Sequence, residues 1–369
     1  MKEIICKGCG SVLQTIDETK PGFIKTIDES KPILYCKRCF RLMNYNEFPK
    51  TIASNEDYEL VIDNLLKKDG LIVLVVDLFD FTGTFIPQIL NKLRDKKVIL
   101  VANKLDILPK SVNISNIVSW LSQMVNRYFF RVDAIHVVSS KKEYYIDELM
   151  NTIDAARDNK DVYFMGCANV GKSSLINTLI KRFSSTTKDL IATSPIPGTT
   201  LKDINIPFFI DNKSFIDTPG LINKRNAFSC LNESSYNLLV PQKEIKPVSF
   251  QIEKGNAIIL GAIFSVALQE ASGFVTFTSY VSENVSVHRR KNIGLIDFIN
   301  KHKGEILVPP AENDKVELDF ETKTFVIGDK KQDLVISGLG FVTINKPCTV
   351  IVNSLKGLDV FLRNAIFGK

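Results

Sequence analysis

The sequence predicts a doubly wound α/β domain set between a small cysteine-bearing N-terminal module and a β-rich C-terminal domain. Residues 51–240 alternate short, continuous apolar runs with amphipathic stretches. That is the pattern of strands buried on both faces of a mostly parallel sheet, with helices covering them. Residues 1–50 show no long helical or strand pattern but hold two Cys-x2-Cys pairs, and residues 241–369 turn strand-like and are punctuated by Pro241, Pro247, Pro309 and Pro310. At about 150 residues per domain, a 369-residue chain has room for two or three domains.

The central domain is read as strands at Leu71–Asp77, Val98–Ala102, Ala134–Val138, Val162–Met165, Ile204–Ile210 and Ser214–Ile216. Helices fill Tyr58–Lys68, Ile86–Leu93, Ile114–Val125, Ile146–Ala156 and Lys172–Arg182, and Asp211-Asn212 between two apolar runs predicts a hairpin. In the tail, strand-like runs fall at Ala257–Leu268, Gly273–Val281, Lys323–Val326, Asp333–Ile336, Gly340–Ile344 and Thr349–Val352, with one helix at Ile293–Lys301.

Composition narrows the class. Hydrophobic residues at 45% and charged residues at 24% exclude disorder as the dominant state. The longest uncharged apolar run, Ala257–Leu268, is shorter than the ~20 residues that span a bilayer, so no membrane partner is expected. The start Met1-Lys2-Glu3-Ile4-Ile5-Cys6 has no apolar signal core, and the expectation is a cytoplasmic protein. A net charge of +6 permits an acidic partner without demanding one. Seven cysteines, an odd number, argue against a disulfide framework, and the two close pairs point to metal.

Gly166-Cys-Ala-Asn169-Val170-Gly171-Lys172-Ser173 matches the phosphate-loop pattern and lies between a predicted strand and a predicted helix, as the pattern requires. The glycines let the backbone wrap around phosphates, while amide groups and the helix N-terminus supply positive potential. Lys172 is placed to reach the β- and γ-phosphates and Ser173 to hold Mg²⁺; Ser174 continues the loop into the helix. Asp217-Thr-Pro-Gly220, at a later strand end, supplies a carboxylate for the same ion and an amide for the γ-phosphate. Asn103-Lys104-Leu105-Asp106 follows another strand, and a carboxylate at Asp106 can accept two N–H groups from the guanine Watson–Crick edge, a donor pair that adenine lacks. Ser139-Ser140-Lys141, at a third strand end, would place backbone amides near the guanine carbonyl.

These are guanine-nucleotide elements in rotated order. The base elements come first, then Gly166–Ser173, then Thr199-Thr200, then Asp217–Gly220. With the N-terminal cysteine pairs, Asp77-Leu-Phe-Asp80-Phe and Pro197-Gly198-Thr199-Thr200, the chain resembles the YqeH family of ribosome-assembly GTPases over nearly its whole length. The resemblance implies a circularly permuted phosphate-loop GTPase domain, GTP or GDP with Mg²⁺ as ligands, and ribosomal RNA or a precursor small subunit as partner. Permutation is physically allowed because ligand contacts sit at strand C-termini whatever the order along the chain. Thr200 is the choice for the Mg²⁺-sensing threonine, with Thr199 the alternative. Many GTPases carry a water-orienting glutamine after the Asp-x-x-Gly element; here Leu221 stands there, and slow unassisted turnover is expected. In related GTPases an asparagine placed like Asn169 holds K⁺, which would add positive charge near the phosphates.

Cys6, Cys9, Cys36 and Cys39 form a set of four thiolates suited to a structural, tetrahedral Zn²⁺. A redox pair and an iron–sulfur cluster are the other readings, and neither explains two pairs in so small a module. Lys37, Arg38, Arg41 and Tyr45 near the second pair suit RNA phosphate contact and base stacking. His288-Arg-Arg-Lys291 and Lys301-His-Lys303 form a second basic patch; a solvated basic face is the plain alternative for both. The function classes left open are an assembly factor, a GTPase coupled to RNA modification or metabolism, and a nucleotide-binding scaffold with negligible hydrolysis. Oligomeric state is not legible.

Overall fold

The structure is a computed structural model that describes residues 4–6, 11–18, 20, 22–27, 34–37, 63, 66–86, 92–183, 204–221 and 223–367. Contacts divide the chain into two compact units, Met1–Leu105 with Ile114–Ile222, and Asp106–Asn113 with Asn223–Lys369.

The first unit is built on a six-stranded sheet. Its strands are Gly70–Asp77 (β1), Val98–Asn103 (β2), Ala134–Val137 (β3), Asp161–Met165 (β4), Ile204–Pro207 (β5) and Ser214–Asp217 (β6), in the order β3-β2-β1-β4-β6-β5. All neighbours run parallel except β5, which returns antiparallel on β6. All residues of β2 and all but Gly70 of β1 are buried, as central strands covered on both faces must be. Phe81–Thr84 (α1), Ile114–Arg127 (α2), Ile146–Ala156 (α3) and Lys172–Phe183 (α4) are the described helices of this unit. On α2, Ile117, Trp120, Leu121, Met124 and Val125 are buried at spacings of three and four, one apolar stripe. The expected helices Tyr58–Lys68 and Ile86–Leu93 lie largely outside the described residues.

Strand order decides where a ligand can go. From β1 the chain moves to β2 and then β3 on one side; from β4 it passes on the other side to the edge strand β5 and returns as β6 between the two. The switch point is therefore the crevice beyond the C-terminal ends of β1 and β4, where open α/β sheets bind ligands. The ends of β1, β2, β3, β4 and β6 carry Asp77, Asn103, Ser139, Gly166 and Asp217, so parallel pairing alone brings the sequence-assigned elements to one edge.

The second unit holds two five-stranded antiparallel sheets. Gln332–Ile336 (β13), Gly340–Ile344 (β14) and Val275–Val281 (β10) form the middle of one, flanked by Val360–Asn364 (β16) and Val248–Ile252 (β7). Asn256–Leu260 (β8), Phe264–Glu270 (β9) and Cys348–Leu355 (β15) form the middle of the other, flanked by Val287–Lys291 (β11) and Phe320–Ile327 (β12). One apolar core, including Phe264, Val266, Phe277, Leu334, Val342 and Val352, lies between them. Leu295–His302, the seventh described helix (α7, after the short α5 Ala227–Cys230 and α6 Tyr236–Leu239), covers the outer face of the second sheet through Leu295 and Ile299 on Ala257, Ile259 and Ala267.

The expected single run Ala257–Leu268 is in fact a hairpin, β8 turning at Gly261 (φ +56°) into β9. Ile258 and Val266 face the inner core while Ile259 and Ala267 face α7. With both faces covered, the polar alternation that marks a hairpin in sequence disappears. Strands β7, β11 and β16 and helix α1 are further elements that the sequence reading does not contain.

Residues 223–240, read from sequence as the end of the GTPase domain, pack within the second unit. Ala227, Leu231 and Leu239 join its core, Arg225 pairs with Asp359 at 2.7 Å, and the Ala227 N–H donates to the Ser337 carbonyl at 2.8 Å. Residues 106–113 belong to this unit too: the Ile245 N–H donates to the Ile107 carbonyl at 2.8 Å, and the Lys110 N–H to Glu244 at 2.9 Å.

Candidate nucleotide site

The phosphate loop leaves β4 at Gly166, whose φ is +152°, and a Cβ there would lie 2.1 Å from the Val75 carbonyl oxygen. Asn169 (φ +69°) and Gly171 (φ +87°) turn the loop back on left-handed backbone. A Cβ on Gly171 would lie 2.5 Å from Asn103 Nδ2, so the base element and the loop approach too closely for any other residue there. Helix α4 opens directly behind, with the Leu175 N–H bonded to the Gly171 carbonyl at 2.9 Å.

Lys172 is buried, its Nζ 3.4 Å from the Gly166 carbonyl and 3.5 Å from that of Cys167. Burial pushes its pKa down, and Asp217 partly restores it. The loop's own carbonyls thus hold the ammonium where an anion would take their place. Ser173 Oγ donates to Asp217 Oδ2 at 2.7 Å, which brings together the two oxygen ligands assigned to Mg²⁺. A hydroxyl and a carboxylate converging beside a buried lysine are the hard donors that Mg²⁺ takes in such sites. Gly220 lies against the lysine: a Cβ there would be 3.2 Å from Nζ.

Leu221 is held unlike a mobile catalytic position. Its N–H donates to the Gly166 carbonyl at 3.1 Å, and its carbonyl accepts from Ala168 at 2.6 Å, a bridge onto the phosphate loop. The residue is 3% exposed. Cys167 is buried with its thiol donating to the Thr84 carbonyl at 3.4 Å, and burial pushes its pKa up to about 12.

Asn103 is wholly buried and works as a staple. Its Nδ2 donates to the Val170 carbonyl at 3.0 Å and to Ser140 Oγ at 3.2 Å, while Oδ1 accepts from the Ser140 N–H at 3.0 Å. Ser139 Oγ accepts from the Lys142 N–H at 3.0 Å, and the Ser140 carbonyl accepts from Thr178 Oγ1 of α4 at 3.0 Å. Lys141 is exposed. Lys104 has φ +71°, and its Nζ donates to Asp77 Oδ2 at 2.6 Å. Asp106 sits on the short 3-10 turn Leu105–Ile107 and is half-buried. Thr199 and Thr200 lie outside the described residues. The parts played by Asp77 and Thr178 escaped the sequence reading; the signal for Asp77 is an acidic residue closing an otherwise apolar strand.

In the N-terminal module, the Cys36 N–H donates to Cys6 Sγ at 3.2 Å, and both cysteines are buried with Leu13 and Leu34. Cys9 and Cys39 lie outside the described residues, as do Arg38, Arg41 and Tyr45, whereas Lys37 pairs with Glu18. Among the described residues no group of three potential metal ligands occurs. In the second unit, Arg290 on edge strand β11 lies 3.9 Å over the Phe298 ring, whose own neighbour at 4.5 Å is His302. The two basic runs of the tail are thus brought together, although the Lys303 ammonium is taken up by the Val316 carbonyl at 2.8 Å. No described helix is long and apolar enough to cross a membrane.

A phosphate loop, a serine–aspartate pair and base elements gathered at one sheet edge define a nucleotide-hydrolysing domain of the phosphate-loop class. Comparison with known proteins agrees: residues 161–262 match the family model described as 50S ribosome-binding GTPase, and residues 275–366 match that described as YqeH-like, C-terminal. The protein YqeH of Bacillus subtilis is 35% identical over 370 residues, covering 99% of this chain and 100% of that protein. The chain belongs to the YqeH family and is a GTPase. NO-associated protein 1 of Arabidopsis thaliana is 27% identical over 390 residues, covering 92% of this chain and 69% of that protein. GTPase Der of Aquifex aeolicus is 30% identical over 176 residues, covering 45% of this chain and 38% of that protein.

Proposed function

We propose that this protein is a GTP-hydrolysing switch in ribosome assembly, built on a circularly permuted GTPase domain. The observation that carries the reading is that base elements on β2 and β3 precede the phosphate loop in sequence yet share one sheet edge with it. The match to the GTPase family model beginning at residue 161, directly at β4, supports the permutation.

In this reading Lys172 and the loop amides of Gly166–Ser174 hold the phosphates, with Asn103, Lys104, Asp106, Ser139, Ser140 and Lys141 around the base. Ser173, Asp217 and Thr200 hold Mg²⁺, which neutralises charge on the β- and γ-phosphates. Gly220 offers its N–H to the γ-phosphate. Asn169, on left-handed backbone at the loop, would hold K⁺. No side chain at position 221 orients the attacking water, so turnover is slow without a partner.

The N-terminal module is proposed to bind Zn²⁺ through Cys6, Cys9, Cys36 and Cys39. A backbone N–H given to the Cys6 sulfur is the bond that a metal-bound thiolate accepts. The partner is ribosomal RNA or a precursor particle in the cytoplasm. The matched family model names the 50S ribosome, whereas the resemblance in motif order points to the small subunit. Sedimentation of the full chain with each isolated subunit, with GDP and with a non-hydrolysable GTP analogue, tests this. Nucleotide-dependent co-sedimentation with one subunit is expected, and failure to co-sediment in every state would refute the assembly role.

A further inference from the structure

We propose that Asp77 is a positioning residue of the nucleotide site: its carboxylate tethers the Lys104 ammonium, so that the lysine stem is pre-set as a ledge for the purine base. The proposal rests on the nucleotide reading of the site.

Asp77 closes β1 and stands opposite Asn103 in the parallel register of β1 and β2. It lies at the switch point, where a ligand enters an open α/β sheet. Its polar groups have partners that fix it. Oδ1 accepts from the Phe79 N–H at 2.9 Å, and the backbone N–H donates to Thr84 Oγ1 at 3.0 Å. That leaves Oδ2 facing Lys104 Nζ at 2.6 Å, with only 11% of the Asp77 side chain and 20% of the Lys104 side chain exposed.

Lys104 is held at both ends. Its backbone is left-handed, which turns the side chain back from the path of β2, and its ammonium is tied to Asp77. The methylene stem between them cannot sweep through its rotamers as a free lysine does. Neighbouring Asn103 is itself locked to Ser140 and to the phosphate loop at Val170. A base entering beside Asn103 therefore meets a stem already ordered, and the ordering cost is met before binding. The tether also reaches the loop: Thr84, which accepts from Asp77, offers its carbonyl to the Cys167 thiol. Residues of β1 and α1, whose Asp77–Phe81 stretch carries part of the family likeness but no assigned nucleotide contact, thus brace both halves of the site.

The test uses the full-length protein with fluorescent GDP and GTP analogues. Asp77→Asn keeps the shape and the bond to Phe79 but removes the charge. Both Kd values should rise together by about ten-fold, KM should rise likewise, and kcat should stay within about two-fold. Lys104→Met keeps an apolar stem but cannot be tethered, and it should lose affinity comparably. In that background Asp77→Asn should add nothing, because the two changes break one interaction. Unchanged affinity in Asp77→Asn, a loss confined to GTP, or additive losses in the double variant would each overturn the proposal. Should Asp77→Asn not fold, unchanged affinity in Lys104→Met overturns it alone. A wild-type chain that binds neither nucleotide would sink the reading of the site itself, a separate result.

Discussion

Replacing Leu221 by glutamine looks like the repair of a catalytic defect, since it installs the residue that orients water in many GTPases. The structure predicts the opposite. Leu221 is 3% exposed, and its backbone is clamped on both sides to Gly166 and Ala168 at 3.1 and 2.6 Å. Burying a leucine side chain stabilises by about 2–3 kcal/mol. A glutamine amide in the same place without partners costs about 1–3 kcal/mol more. Leu221→Gln should therefore destabilise the first unit by about 3–6 kcal/mol, a large part of a total near 5–15 kcal/mol for a domain. Trp120, the single tryptophan, is buried on α2 of that unit, so its fluorescence during urea unfolding reports on this unit. Phosphate release at saturating GTP should not accelerate. A variant hydrolysing GTP ten times faster with an unchanged unfolding midpoint would refute the reasoning, because the side chain would then have to reach the γ-phosphate from outside its pocket.

Other outcomes follow from the same geometry. Asn103→Ala removes three hydrogen bonds, one buried (to Val170, 3.0 Å) and two part-buried (to Ser140, 3.0 and 3.2 Å), and should cost about 2–4 kcal/mol by the same fluorescence assay; a shift below ~0.5 kcal/mol would refute the staple. Asp333→Ala removes the carboxylate paired with the buried Arg363 (3.2 Å away) and should destabilise the second unit by about 3–5 kcal/mol, read by limited proteolysis of its strands, with wild-type resistance counting against it. With a pKa near 12, Cys167 is a thiolate in only about one molecule in ten thousand at pH 8. Iodoacetamide should leave it unmodified in the native protein, with reactivity rising as pH climbs toward 12, and rapid labelling at pH 8 by peptide mass would contradict the burial. Asp106→Asn should shift preference from guanine toward xanthine nucleotides, measured as the ratio of their Kd values; an unchanged ratio would remove Asp106 from base recognition.

Much of the candidate site was readable because its elements are short and contiguous. Gly166–Ser173 needs a strand before it and a helix after it, and β4 and α4 are there. The all-apolar runs of β1 and β2 announced a covered parallel sheet. The same logic failed at Ala257–Leu268, where two covered faces erased the alternation that separates a hairpin from a single long strand. At 223–240, read as closing the GTPase domain and joining it to the tail, packing alone groups the residues. Ala227, Leu231 and Leu239 are apolar enough for either neighbouring core, and only their packing assigns them to the second unit.

The sequence alone determined which residue types are on offer: a loop of phosphate-wrapping pattern, carboxylates and hydroxyls of the kind Mg²⁺ takes, a carboxylate assigned to the base, four paired cysteines, and an order of elements that resembles one family. Each is a local pattern whose meaning survives without knowing the fold. Tertiary structure decided which distant groups meet. Asn103 was legible as a base element, but its grip on Val170, 67 positions away, was not. Asp77 was legible as the end of a strand, and its hold on Lys104 was not. Leu221 was legible as a missing glutamine, yet only the bridge to the phosphate loop turned it into a buried structural residue. Periodicity encodes which face a side chain takes; the partner on that face is set by strand order and register, which no local pattern contains.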